Sequence, residues 1–173
     1  MDKVKQGLPK AWKISTDGAV RSEQGASGLA AIARDEHDQI CYWWKKRAGR
    51  MTNNEAEYAA VIFALEQMLK IRGMDKIPGL IIYSDSQIVV EQMSGRAATN
   101  APALRVCQAR LRLLVKRFAN VSFRHISREQ NRLADALAFE AVEGLPRESQ
   151  PRAATPNLDL WEQFNSSWRT NEH

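Results

Sequence analysis

Four acidic side chains stand out by where they fall. Asp17 follows an extended stretch, Glu57 lies early in a helical stretch, Asp85 ends the apolar run Leu80-Ile81-Ile82-Tyr83, and Asp135 lies in the last helical stretch. Carboxylates brought together repel unless they are protonated or neutralised. An all-oxygen ligand set favours hard ions such as Mg²⁺ or Mn²⁺ over zinc. Two such ions, roughly 4 Å apart, can activate a water and stabilise the leaving oxygen of a phosphodiester. Gathered at one place, the four acids would serve phosphoryl transfer to water without a side-chain nucleophile. Three of them also have a plainer reading: Asp17 before Gly18 as turn chemistry, Asp85 beside Ser84 as a helix cap, Asp135 as one acid on a solvated face.

The elements around these acids decide whether they can meet. A strand is expected from Trp12 to Asp17, ended by Gly18, a second around Gly28–Ala33 and a third around Ile40–Lys45. The polar turn Arg34-Asp35-Glu36-His37-Asp38 makes the three an antiparallel meander. Helical spacing then runs from Asn53 to Ile71, with Thr52 or Asn53 as N-cap and Gly73 and Pro78-Gly79 as stops. Leu80–Tyr83 reads as a buried strand, followed by a short helix to Met93 and a longer one from Asn100-Ala101-Pro102 to about Phe118. Val121–His125 is a fifth strand and Asn131–Val142 a last helix. The order βββαβααβα implies an α/β fold, a five-stranded mixed sheet flanked by helices. Parallel neighbours finish at one sheet edge, which would set Asp17 beside Asp85. On the first helix Glu57 shares a face with Val61, Ala64, Leu65 and Met68, the stripe that should meet the sheet, whereas Glu55 looks toward solvent. A carboxylate on a buried stripe needs a partner, and bound cations would be one.

Composition narrows the class. The chain has 173 residues, 44% apolar, enough for one domain and an appendage. Its longest apolar run, Ala59 to Leu65, is too short to cross a bilayer. Met1–Lys13 holds no apolar signal core, and Cys41 and Cys107 form no metal-type spacing, so a cytoplasmic protein with reduced thiols is expected. Net charge is +5 with a pI near 9.4. From Leu145 onward, Arg147, Arg152 and Arg169 against Glu148, Asp159, Glu162 and Glu172 give −1, leaving +6 on residues 1–144. A polyanionic partner would therefore meet the body rather than the tail.

Taken together, Thr16-Asp17-Gly18-Ala19, Thr52-Asn53-Asn54-Glu55-Ala56-Glu57-Tyr58, Ser84-Asp85-Ser86-Gln87, and His125 ahead of Asn131-Arg132-Leu133-Ala134-Asp135-Ala136-Leu137-Ala138 resemble the motifs of type 1 ribonuclease H, in order, over Trp12 to Val142. The resemblance implies a ribonuclease H-like fold and cleavage of the RNA strand of RNA–DNA hybrids to 5′-phosphate and 3′-hydroxyl ends. It implies Asp17, Glu57, Asp85 and Asp135 as the catalytic set holding two Mg²⁺ or Mn²⁺ ions. His125 matches the family's mobile-loop histidine, which shuttles protons or assists product release. Arg50 and Thr52 fall where the family cradles a DNA-strand phosphate. Asn53, Asn54 and Gln87 match positions that contact the hybrid, where amides both donate to and accept from 2′-hydroxyls and base edges. Lys45, Lys46 and Arg47 would add phosphate attraction beside Arg50.

The sequence departs from the family in three places. Val20–Gly28 lacks the asparagine-proline-glycine run of many members, Ser94–Ala103 leaves no room for a basic helical handle, and no aromatic follows Asp85 on its helix. Arg105, Arg112 and Lys116, on one helix face, are candidates to compensate. Two divisions of the chain are expected: a catalytic domain over 1–144, then a linker and amphipathic tail over 145–173, in which Leu158, Trp161, Phe164 and Trp168 fall near helical spacing. The expected state is a monomer, with the tail free to clamp the body, pair with another copy or take a protein partner. Proofreading exonucleases place a second acid two residues after the first, absent from Asp17-Gly18-Ala19, and integrases lack the Asn-Asn-x-x-Glu helix start. The rival of another class is a catalytically weak or inactive nucleic-acid-binding module. A protein-interaction scaffold working through the tail is a third.

Overall fold

Strand β2 (Ala26–Arg34) explains the architecture, because all nine of its residues are buried. A strand covered on both faces reads as a continuous apolar or small-residue run, and Ala30, Ala31, Ile32 and Ala33 have no exposed surface. The computed structural model describes residues 11–71 and 79–143. In it, β2 lies between β1 (Trp12–Arg21) and β3 (Ile40–Ala48), antiparallel to both. On the far side of β1, β4 (Leu80–Ser84) and β5 (Val121–His125) run parallel to it, giving the sheet order β3-β2-β1-β4-β5. The helices are α1 (Asn53–Lys70), α2 (Gln87–Met93), α3 (Pro102–Val115) and α4 (Arg132–Glu143). The order βββαβααβα and the mixed five-stranded sheet are as expected from the sequence.

Alternation along the strands assigns the two faces. Ala31 and Ala33 meet the layer containing α1, in a core with Val61, Leu65, Met68, Ile82, Leu104 and Leu111, and Leu29 meets Ala60 and Phe63 of α1. Ala30 and Ile32 meet α4 through Leu133, Ala134, Leu137 and Ala138. Small β2 residues let α4 come close: a Cβ on Gly28 would stand 1.9 Å from the Ala138 carbonyl oxygen. Both atoms are tied to backbone and cannot move aside cheaply. Gly28→Ala should therefore destabilise the fold by about 3 kcal/mol or more, read as a fall in the denaturation midpoint; a change within about 0.5 kcal/mol would contradict the packing described.

Several boundaries differ from expectation for physical reasons. Gly18 does not end β1, which continues to Arg21. Its missing side chain instead makes room for α1, since a Cβ there would lie 2.4 Å from the Ala56 carbonyl group. Val20–Gly28 is thus no open loop: β1, a 3₁₀ turn at Ser22–Gln24, left-handed Gly25 (φ 57°) and β2 fill it. Thr52 is the N-cap of α1 within a capping box closed by Glu55, so Glu55 serves the helix end. Helix α1 ends at Lys70 with Ile71 extended, and the expected stop at Gly73 and Pro78 lies outside the described residues. Helix α3 ends at Val115, and turns carry the chain on to buried Phe118.

Lys45 and Arg47, expected to attract phosphate, are used differently. They alternate with Lys46 on β3 and face α4, where Lys45 Nζ pairs with Glu140 at 2.8 Å and Arg47 donates to the Val142 carbonyl at 2.6 Å. They fasten the last helix to the sheet. Cys41 and Cys107 are free thiols. No helix among the described residues is long and apolar enough to cross a membrane. The division at residue 144, the tail from 145 to 173 and the segment Met1–Lys10 lie outside the described residues.

Candidate metal centre

Strand register brings the first two acids level. Ser15 of β1 stands opposite Tyr83 of β4 in the parallel pair, and Asp17 and Asp85 each come two residues later. Strand β1 runs on past Asp17 while β4 stops at Ser84, so the end of β4 opens a recess beside β1. The close crossing of α1 over Gly18 delivers Glu57 to the same recess. One oxygen from each of Asp17, Glu57 and Asp85 lies within 4.8 Å of the others.

The electrostatics are those of excess buried negative charge. Asp17 is 4% exposed. Burial first, then the charges of Asp85 and Asp135, raise its pKa from 3.8 to about 7, against the opposing pull of Arg128. Glu57 is driven further, from 4.5 to about 9, by burial and then by Asp17 and Asp85. Its Oε2 is buried with no hydrogen-bond partner. A buried carboxyl oxygen without a partner, in a cluster of carboxyls that repel one another once ionised, is what a hard divalent cation would satisfy. These residues fit such an ion.

Asp135 sits in the first turn of α4, exposed and outside the 4.8 Å group, yet near enough for its charge to raise Asp17. His125 is the last residue of β5, paired with Ser84, rather than part of the connection that follows. Its Nε2 lies 3.2 Å from the Asp85 main-chain oxygen. A cationic side chain that reaches an acid from that connection is Arg128. Its Nε is 3.6 Å from Asp85 Oδ2 with the side chain 89% exposed, and its charge lowers the pKa of both Asp17 and Glu57. Sequence reading passed over Arg128; the available signal was a cation three residues beyond His125 in the same short connection.

The residues matched to substrate contacts divide into groups. Arg50, Thr52 and Asn53 line one open depression of roughly 520 Å³, with Val20, Arg21 and Ser22 on its other side. Within it the Thr52 hydroxyl and amide both donate to Glu55 in the capping box. Asn54 is half-buried in the first turn of α1. Gln87 opens α2 with its side-chain amide donating to Glu91 at 2.7 Å. Arg105 donates to the Thr99 carbonyl, while Arg112 and Lys116 border a separate groove with Phe123.

Comparison with known proteins places this geometry among relatives. Residues 15–141 match the family model described as reverse transcriptase-like. Ribonuclease HI of Halobacterium salinarum is 38% identical over 127 residues, covering 73% of this chain and 62% of that protein. The crystal structure of the halobacterial RNase H1 superposes with a TM-score of 0.72 at 33% identity, covering 78% of this chain and 99% of that one. LC11-RNase H1, isolated from compost and solved in complex with an RNA/DNA hybrid, gives a TM-score of 0.71 at 32% identity, over 76% and 96% of the two chains. The bifunctional protein Rv2228c of Mycobacterium tuberculosis is 31% identical over 131 residues, 75% of this chain. The chain spans only 35% of the length of Rv2228c.

Proposed function

Because this chain belongs to the ribonuclease HI family, we propose that it is a metal-dependent endonuclease hydrolysing the RNA strand of RNA–DNA hybrids, leaving 5′-phosphate and 3′-hydroxyl ends. The observation that carries the reading is the convergence of Asp17, Glu57 and Asp85 in a buried recess, where burial and mutual repulsion push Asp17 and Glu57 far above the ordinary carboxylate range. That the related LC11-RNase H1 has been solved with a hybrid supports the choice of substrate.

Asp17, Glu57 and Asp85, with Asp135 from α4, would hold the ions. When bound, a pair of Mg²⁺ or Mn²⁺ ions supplies the positive charge that acidifies water and stabilises charge on the phosphate oxygens. The chain's own side chains do the rest. Arg50 and Thr52, at the open depression, bind and orient a DNA-strand phosphate, so the scissile bond meets the acids in one register, with Asn53 beside them at the hybrid. Asn54 and Gln87 offer amides to 2′-hydroxyls, the feature by which a site tells RNA from DNA. His125, exposed at the end of β5, would give an imidazole proton to the departing 3′-oxygen and take one back from solvent afterwards. Arg128 offsets the negative potential of the acids and directs an incoming phosphate toward them.

One labelled RNA sequence, offered single-stranded, as an RNA duplex and as an RNA–DNA hybrid, tests the reading with Mg²⁺, with Mn²⁺ and with chelator. Cleavage confined to the hybrid, ending in 5′-phosphates and abolished by chelator, is expected. Hybrid binding without cleavage in either metal would overturn the nuclease reading and leave a nucleic-acid-binding module.

A further inference from the structure

We propose that Asn131 is a positioning residue of the acid cluster: its side-chain amide fixes the Asp85 carboxylate relative to Asp17 and so sets the affinity of the site for divalent ions. This rests on the reading of the cluster as a metal centre.

Asn131 directly precedes α4 and is 1% exposed. Its Nδ2 donates to the Thr16 carbonyl at 2.9 Å and to Asp85 Oδ1 at 3.3 Å. Its own carbonyl accepts the Asp135 amide at 3.0 Å. One side chain and one peptide group thus touch the main chain just before Asp17, the Asp85 carboxylate and the backbone of Asp135. Its backbone amide meets the Ser127 and Arg128 carbonyls at 3.1 and 3.0 Å, pinning the connection that carries Arg128.

The orientation argues against simple helix capping. An asparagine N-cap turns its side-chain oxygen onto the first free amides of its own helix. Here the side chain points into the sheet, and Oδ1 is buried without a hydrogen-bond partner, a costly state for an acceptor. The Nδ2 group is spent on β1 and Asp85. The two oxygens of Asp85 then have separate neighbours: Oδ1 is held by a buried amide and Oδ2 faces exposed Arg128. Groups that orient metal-binding carboxylates contribute strongly to affinity. An amide suits this place because it donates without adding a further negative charge to a cluster already overloaded with it.

The test compares Asn131→Ser and Asn131→Ala with the wild type. Serine is a good helix N-cap but too short to bridge Thr16 and Asp85, so it preserves a merely structural role and removes the positioning one. Direct Mn²⁺ titration of the full chain, following free Mn²⁺ by electron paramagnetic resonance, should show affinity about tenfold weaker in both variants. The Mn²⁺ concentration for half-maximal cleavage should rise in parallel, with KM for the hybrid at saturating metal unchanged. If alanine fails to fold, the serine variant decides alone. Wild-type Mn²⁺ affinity in a folded Asn131→Ser protein would overturn the proposal and leave the metal centre standing. Absence of Mn²⁺ binding by the wild type would instead overturn the metal-centre reading and this inference with it.

Discussion

Asp17→Asn is expected to cut hybrid cleavage by a factor on the order of 10³ or more while leaving the protein folded. The asparagine is isosteric, so the strand register that sets residue 17 level with Asp85 is undisturbed. What disappears is a negatively charged oxygen at the centre of the cluster. Asp17 interacts with each of the other acids: its pKa responds to Asp85 and Asp135, and Glu57 responds to it. Removing it should weaken ion binding and misplace whatever remains bound. The assay is single-turnover cleavage at saturating metal and hybrid, which separates the chemical step from binding. Hybrid affinity in chelator should change little, because the residues proposed to meet phosphate and 2′-hydroxyls lie elsewhere. Activity within tenfold of wild type would remove Asp17 from the catalytic set.

The second large effect concerns stability. Asp17 and Glu57 bind protons more tightly in the folded chain than in the unfolded one, because their folded pKa values, about 7 and about 9, exceed the ordinary 3.8 and 4.5. Between those limits the native state holds more protons than the unfolded state, so stability falls as pH rises. Below about pH 4 both states are protonated and there is no penalty; above about pH 9 the penalty is complete. Each pKa unit corresponds to about 1.4 kcal/mol. Allowing for coupling and relaxation, the metal-free protein should lose on the order of 3 kcal/mol between pH 5 and pH 9, a fall in Tm of roughly 5–10 °C. Mg²⁺ or Mn²⁺ should restore much of this at pH 8 to 9, where ions displace the protons. Glu57→Gln should flatten the profile and raise Tm at pH 9. Melting curves in chelator and in metal across this range decide the matter. A flat wild-type profile would mean that the recess is better solvated than its burial implies.

The arrangement of the acids was legible because each sits at a place where two local signals coincide. Asp85 ends an apolar run, and Glu57 alone among the early acids of α1 shares its apolar stripe, which is why it reaches the cluster while Glu55 closes the capping box. The contacts of Lys45 and Arg47 were not legible. A basic run on an edge strand reads as solvated, and only the docking of α4 reveals that every second residue has a carboxylate or a carbonyl to meet. Gly18 was legible as a special position but for the wrong reason: local chemistry suggests a strand end, and the actual constraint is the backbone of α1, distant in sequence. Arg128 and Asn131 escaped notice as acting groups because neither lies on a periodic face. Their partners are fixed only by the path of the connection between β5 and α4.

Asp17 lies on the first strand and Asp135 on the last described helix, so the ends of the domain supply two sides of the same recess. Synthesis from the N-terminus makes the meander and α1 available long before α4 emerges. Until then β1 has neither the Asn131 amide on Thr16 nor the neighbouring charge of Asp135. A chain lacking α4 would therefore have Asp17, Glu57 and Asp85 without the fourth acid and without the amide that holds Asp85. Long-range closure of this kind is the slow part of folding. In time rather than space, the proposed metal centre is complete only once α4 has docked, after the other described elements are in place.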